Sequence, residues 1–106
     1  MVQASYEIGK KIYYGDLILD EGVEILNLQY GMDKNSAKGY INIYKNLVQG
    51  EQYAWTINGY ATKYYIIRIL LDNGKETFLN ALNALKLHLD YQDNIGHNTM
   101  ASTKDI

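Results

Sequence analysis

Five polar side chains between positions 34 and 45 have the types and spacing that suit binding to nucleic acid. They are Lys34, Asn35, Lys38, Asn42 and Lys45. Asparagine can bond an adenine edge through two hydrogen bonds, and lysine can reach a guanine edge or a phosphate. On the wet side of one helix, these residues would form a surface for duplex DNA. The same pattern also fits a helix whose solvated side happens to be basic.

Positive charge is concentrated in the middle of the chain. The 106 residues carry a formal net charge of −2, which argues against strong non-specific binding to nucleic acid. From Lys34 to Leu71, however, five basic residues accompany one acid, a net of +4, whereas the remaining residues carry −6. Six tyrosines and Trp55 lie in the positive stretch, where they could stack on bases. Arg68 and Trp55 are expected to flank the DNA surface.

The link over residues 50–58 is a second candidate binding feature. It places the only tryptophan, Trp55, beside Thr56 and Asn58. Backbone N–H groups at a helix start can hold an anion, with such side chains as partners. Alternatively, Thr56 or Asn58 caps the next helix and Trp55 closes over the core. Both interpretations stay open at this point.

Apolar spacing predicts five helices, over residues 5–14, 21–30, 34–49, 57–71 and 75–94. Glycine closes many helices because it adopts the left-handed conformation, and glycines stand at four of these ends: Gly15, Gly31, Gly50 and Gly96. The fifth helix has the most regular stripe, formed by Phe78, Leu82, Leu85 and Leu89. Proline is absent and no long segment alternates with period two, so we expect a single all-α bundle of about five helices.

Polar residues indicate where the helices begin and where the domain ends. Asp20 is expected to cap the second helix, and Asp33 or Asn35 the third. Residues 1–96 are expected to form one helical domain. The polar, unpatterned residues 97–106 are expected to form a flexible C-terminal tail.

The junction between the second and third helices resembles a helix-turn-helix. Gly31 would permit the positive φ that reverses the chain. Met32 would fill the angle between the two helices, and Ala37 is small enough to let them approach closely. This corner would present the third helix to DNA.

The string Gly-Met-Asp-Lys-Asn-Ser-Ala-Lys-Gly-Tyr-Ile, residues 31–41, resembles part of a small helical domain at the N-termini of bacterial HNH-type restriction endonuclease-like proteins. The resemblance continues through Tyr53 to His88 and Tyr91, over most of the chain. It implies a recognition or accessory module whose chemistry is done by a separate metal-binding nuclease domain. The chain departs from that pattern at Asp33, where asparagine is expected, and at Ala54-Trp55, where Thr-Arg is expected. Without that arginine, a phosphate contact at the link loses support.

The residue types that catalysis needs are sparse. There is no cysteine, which excludes disulfides, thiolate metal sites and cysteine nucleophiles. His88 lies among leucines and is expected to be a packing or surface residue, while His97 lies in the expected tail. Acidic residues cluster around the start of the second helix, where they favour its dipole. The sequence therefore predicts a non-enzymatic protein without a metal or other cofactor.

Three functions of different classes follow. The leading prediction is a module that binds duplex DNA through the third helix and the aromatic link. The alternative is a free-standing anti-defence protein, of phage or plasmid type, that sequesters a small nucleotide in a tyrosine-lined pocket between protomers or blocks a partner protein. The third is a helical homodimerisation domain that uses Leu79, Leu87 and Tyr91 on a second apolar side of the fifth helix. No membrane span or secretory signal is evident, so a cytoplasmic location is expected.

Overall fold

The computed structural model describes residues 2–54 and 57–104, with side chains described as far as Gln92. These residues form five α-helices and no strand. The helices are α1 (Val2–Tyr13), α2 (Leu19–Tyr30), α3 (Lys34–Gln49), α4 (Gly59–Asn73) and α5 (Lys75–Lys104). The prediction of an all-α bundle of about five helices is confirmed. In the described part of the chain, no helix is long and apolar enough to cross a membrane.

The start of α2 differs from the prediction, because Asp20 does not cap it. Ile18 occupies the cap position in an extended conformation. The Glu21 carboxylate reaches back and accepts a 3.1 Å hydrogen bond from the Ile18 backbone N–H. Asp20 and Glu21 lie within the first turn, where negative charge favours the positive end of the helix dipole. The Glu21 carboxylate thus supplies the half of a capping box that reaches back from the helix, while Ile18 has no polar side chain to supply the other half.

The far end of α5 also differs from the prediction. The expected end near Asn94, with Gly96 as terminator, is wrong, because α5 runs to Lys104. A glycine closes a helix only where its backbone turns left-handed, and within a helix it costs only about 1 kcal/mol relative to alanine. Residues 97–104 are accordingly helical, although their sequence has no apolar pattern.

α3 is the central helix and packs against all four others. Its start is capped by Asp33, whose carboxylate accepts hydrogen bonds from the backbone N–H groups of Asn35 and Ser36 at 3.0 and 3.3 Å. Gly50 ends the helix in the left-handed conformation, with φ 71°. Both ends confirm the prediction. Because its buried side contacts the whole bundle, the direction of its exposed side is fixed.

The corner between α2 and α3 has the local structure that the sequence predicts. Gly31 is left-handed, with φ 67°. Met32 is buried and packs in one cluster with Leu26 and Ala37. Its backbone carbonyl accepts a 2.9 Å hydrogen bond from the Asn27 side chain. The corner therefore holds the beginning of α3 by packing as well as by its turn.

Tyrosines account for much of the main core. The Tyr6 ring meets the rings of Tyr44 and Tyr65 edge to face, with centroids 5.2 and 5.4 Å apart. All three rings are fully buried. α1 passes close to α3 here, because a β-carbon at Gly9 would stand 3.1 Å from Cβ of Tyr44. These tyrosines are thus packing residues between α1, α3 and α4.

α5 buries small residues fully, and only Phe78 and Leu85 of its regular apolar stripe pack against the core. Ala81, Ala84 and His88 are buried, whereas Leu82 and Leu89 are 39% and 53% exposed. Small side chains let α5 lie close against α3, and that contact turns these two leucines away from the core. The side-chain amide of Asn80 donates a 3.2 Å hydrogen bond to the Val48 carbonyl at the same contact.

Candidate nucleic-acid interface

The exposed side of α3 brings together five of the nine predicted binding residues. Each is exposed, and we call them the α3 lysine face: Lys34, Asn35, Lys38, Asn42 and Lys45. At 3.6 residues per turn they occupy an arc of about 100° and extend about 16 Å along the helix axis. No carboxylate belongs to this set, so its side chains present only positive charge and amide groups.

The lysines of this face differ in whether they form a salt bridge with another residue. Lys34 forms a 3.1 Å salt bridge with Glu24 of α2, and both side chains are more than half exposed. An exposed pair of this kind contributes about 0–1 kcal/mol, so a phosphate can replace the carboxylate. Lys38 and Lys45 form no salt bridge with any residue that the structure describes. They are the two cations most readily offered to an anionic partner.

The N-terminus of α3 does not itself provide an anion site. Asp33 already accepts hydrogen bonds from two of the first backbone N–H groups. Its negative charge also stands where a phosphate would otherwise approach the helix end. Recognition of an anion on α3 therefore depends on its lysine side chains.

Arg68 lies apart from the α3 lysine face. Its guanidinium donates a 2.8 Å hydrogen bond to Glu7 of α1 and a 2.7 Å hydrogen bond to the Tyr64 hydroxyl. It also stands over the Tyr6 ring, 4.7 Å from the centroid. The hydrogen bond to Glu7 raises the pKa of Arg68 above its ordinary value. The charge of Arg68 is thus largely satisfied within the protein, where it ties α4 to α1.

Asp72 completes this network at the end of α4. Its Oδ2 accepts hydrogen bonds from the Tyr6 hydroxyl at 2.8 Å and from Lys10 Nζ at 3.3 Å. Burial opposes ionisation of this carboxylate. The hydrogen bonds and the charges of Arg68 and Lys10 nevertheless keep the pKa of Asp72 below its ordinary value of 3.8. Sequence spacing could indicate only the pairing of Arg68 with Asp72 on one helix, because the other partners are more than 60 residues away.

The link after α3 contributes three of the predicted residues. Asn58 caps α4, since its side-chain oxygen accepts a 2.8 Å hydrogen bond from the Ala61 backbone N–H. This confirms the structural alternative for Asn58. Trp55 and Thr56 lie outside the described residues, so their predicted role stays a prediction.

His88 has a structural environment, as predicted. Its Nδ1 bonds the backbone carbonyl of Tyr53. The two rings are stacked, with centroids 4.1 Å apart and planes 9° apart. Burial raises the pKa of Tyr53 to about 12. This pair fixes the link against α5 directly after α3 ends.

A cleft of about 620 Å³ opens between α1, α2 and α4. Its wall includes Glu7, Lys11, Gln29, Tyr30 and Arg68. Glu7 already neutralises Arg68, so Lys11 is the one cation of this wall without a described salt-bridge partner. Among the residues whose side chains are described, no three histidine, aspartate or glutamate side chains group as metal ligands.

No protein-family model, curated protein or solved structure matches the chain. The resemblance to the N-terminal domain of HNH-type restriction endonuclease-like proteins therefore stays a prediction. The functional interpretation depends on the geometry of the α3 lysine face.

Proposed function

We propose that the protein is a non-enzymatic recognition module that binds duplex DNA through the α3 lysine face. The observation that carries the proposal is the exposed side of a central helix with three lysines, two asparagines and no carboxylate. Its orientation is held by contacts of α3 with all four other helices. A rigid, positively charged helix face of this length suits the major groove, which is about 12 Å wide.

Each side chain of the face has a role in this proposal. Lys38 and Lys45, which have no described salt-bridge partner, lie two turns apart on nearly the same line along α3 and contact phosphates on one side of the groove. Asn42 lies between them along α3 and would bond an adenine edge. Asn35, one turn from the corner, would reach a base near the end of the helix.

Two of the other predicted residues are assigned differently. Arg68 is omitted from the interface, because its guanidinium is held by Glu7, Tyr64 and Asp72. Asn58 serves as the cap of α4. Trp55 and Thr56 keep a flanking role on the sequence argument alone.

The net charge of −2 sets the expected strength of binding. A protein with few cations on one face binds arbitrary DNA weakly, so discrimination must come from base contacts. This agrees with the accessory module that the resemblance implies, in which a separate nuclease domain does the chemistry.

The test is selection of bound duplexes from a randomised pool, followed by fluorescence anisotropy on the enriched duplex. We expect Lys38→Gln together with Lys45→Gln to weaken binding by at least tenfold, since each contributes a phosphate contact. The matched control makes a single charge change on α1, with Lys11→Gln, which is also exposed and is compared with Lys38→Gln alone. Failure to enrich any duplex, or an equal loss in the control, contradicts the proposal. A thermal shift with mononucleotides but not with duplex favours the nucleotide-binding alternative.

A further inference from the structure

The outer side of the α4–α5 hairpin carries an apolar surface that the core does not use. Six large side chains form it, and each is more than a third exposed: Ile67, Leu70, Leu71, Leu79, Leu82 and Leu89. On α4, Leu70 and Leu71 follow Ile67 by three and four residues, and the last three recur on one side of α5. We call these six residues the α4/α5 apolar face.

A groove of about 600 Å³ runs between the two helices within this face. Its walls include Ile67 and Leu89 from the face itself, together with Ile66, Phe78 and Leu85. The surface therefore combines protruding leucines with an apolar depression beside them. Helices pack against one another by placing the ridges of one surface into the grooves of the other, and this surface offers both.

The face exists because α5 packs on α3 through Ala81, Ala84 and His88. Leu82 and Leu89 of its apolar stripe consequently turn outward, while Phe78 and Leu85 stay packed against the core. The six side chains together expose roughly 500 Å² of apolar area. This area is near the upper end of the range found for the largest apolar patch on a typical monomer. A patch of this size is often functional, and no described part of the chain covers this one.

We infer that a second copy of this chain covers the α4/α5 apolar face and that the protein is a homodimer. Two such hairpins packed face to face would form a four-helix layer around a twofold axis. Stable interfaces bury about 800 Å² on each partner, which the apolar area and its polar border together can supply.

The charges at the border favour a second copy over a strongly acidic or basic partner. Exposed residues of both signs accompany the face: Lys63 and Lys86 lie within its helical stripes, and Lys75, Glu76 and Asp90 lie beside them along α5. None of them forms a salt bridge within the described part of the chain. Positively and negatively charged residues on one copy can pair with the opposite charges of a second copy across a twofold axis. A partner whose surface carries charge of only one sign would meet some like charges.

This inference does not depend on DNA binding. The α4/α5 apolar face shares no residue with the α3 lysine face. A dimer would carry two lysine faces, which is the arrangement that reads paired half-sites in duplex DNA. Failure of either proposal leaves the other standing.

Sedimentation equilibrium of the full chain tests the inference. We expect wild-type protein to sediment at twice the 12.1 kDa mass of one chain. Leu71→Glu and, separately, Leu82→Glu should weaken self-association by at least tenfold, because each places a charge in the apolar contact. Leu28→Glu is the matched control, since Leu28 on α2 is 75% exposed and Leu71 is 72% exposed.

The outcomes decide the inference in either direction. A wild-type monomer at the highest soluble concentration overturns it. So does a dimer that survives both Leu71→Glu and Leu82→Glu, or one that Leu28→Glu dissociates equally. Thermal melting of each variant checks folding, which these exposed positions should leave intact.

Discussion

The hydroxyl of Tyr6 and the carboxylate of Asp72 are joined by a 2.8 Å hydrogen bond that links the first helix to the end of the fourth. Lys10 and Arg68 contact the same carboxylate oxygen, at 3.3 and 3.4 Å. One acceptor thus holds three donors from two helices. Because α1 packs on the buried side of α3, this network also supports the helix that carries the proposed DNA surface.

Removal of the Asp72 carboxylate should destabilise the protein. Asp72→Ala leaves the buried Tyr6 hydroxyl without its acceptor and takes one of two carboxylates from Arg68. We expect the free energy of unfolding to fall by about 1–3 kcal/mol in urea titration. Asp16→Ala, at an exposed position between α1 and α2, should change it by less than about 0.5 kcal/mol. Equal losses in the two variants would show that the network does not stabilise the fold.

Stability should fall in acid through the same carboxylate. The pKa of Asp72 is lower in the folded protein than its ordinary value of 3.8. The unfolded chain therefore takes up the proton first, so the stabilisation is present above pH 3.8 and is lost as the pH falls towards the folded-state pKa. Chemical denaturation across this range should give a smaller acid loss for Asp72→Asn than for wild type. Identical acid limbs would contradict the assignment.

Buried tyrosines should make the protein sensitive to alkali. Burial raises the pKa of Tyr6, Tyr44 and Tyr65 above the ordinary value of 10.0. The folded state keeps these protons while the unfolded chain releases them, so stability is full below pH 10 and falls above it. Each phenol contributes a loss of up to about 1.4 kcal/mol per pH unit. We expect phenolate absorbance of the buried rings to rise together with the loss of helical circular dichroism, and ionisation without unfolding would contradict this.

The close approach of α1 to α3 can be tested at Gly9. A β-carbon there would stand 3.1 Å from Cβ of Tyr44, whose ring is held between Tyr6 and Tyr13. Gly9→Ala gains about 1 kcal/mol of helix propensity, but overpacking costs about 1–3 kcal/mol, so we expect a net loss of about 1 kcal/mol. Gly59→Ala, which has open space around the new carbon, should be neutral or stabilising. Similar effects at both glycines would show that the crossing can relax.

Local sequence signals predicted the parts of the fold that depend on local chemistry. Asp33 and Gly50 mark the ends of α3 as expected, because a cap and a left-handed glycine act within a few residues. Gly31 and Met32 likewise form the corner before α3. The five exposed residues of the α3 lysine face followed directly from helical spacing.

Features that depend on distant partners were not predictable. Arginine is a residue type that often contacts DNA, so the sequence predicted that role for Arg68. Its actual partner Glu7 could not be predicted because it lies 61 positions away in the sequence. The side of α5 that faces the core depends on how closely α5 can approach α3. That distance is set by Ala81 and Ala84, which carry little weight in a hydrophobic pattern. Asp20 is not the cap because α2 begins two residues earlier than expected, at Leu19, which places Asp20 within the first turn.

The salt dependence of DNA binding tests the central claim most directly. Affinity for the enriched duplex should fall linearly on logarithmic axes as salt concentration rises, because phosphate contacts release counterions. Removing Lys38 and Lys45 together should reduce the magnitude of that slope by about 2, whereas the Lys11→Gln control should leave it unchanged. A slope near zero for wild type, or one that the α3 double variant does not alter, would contradict binding through α3.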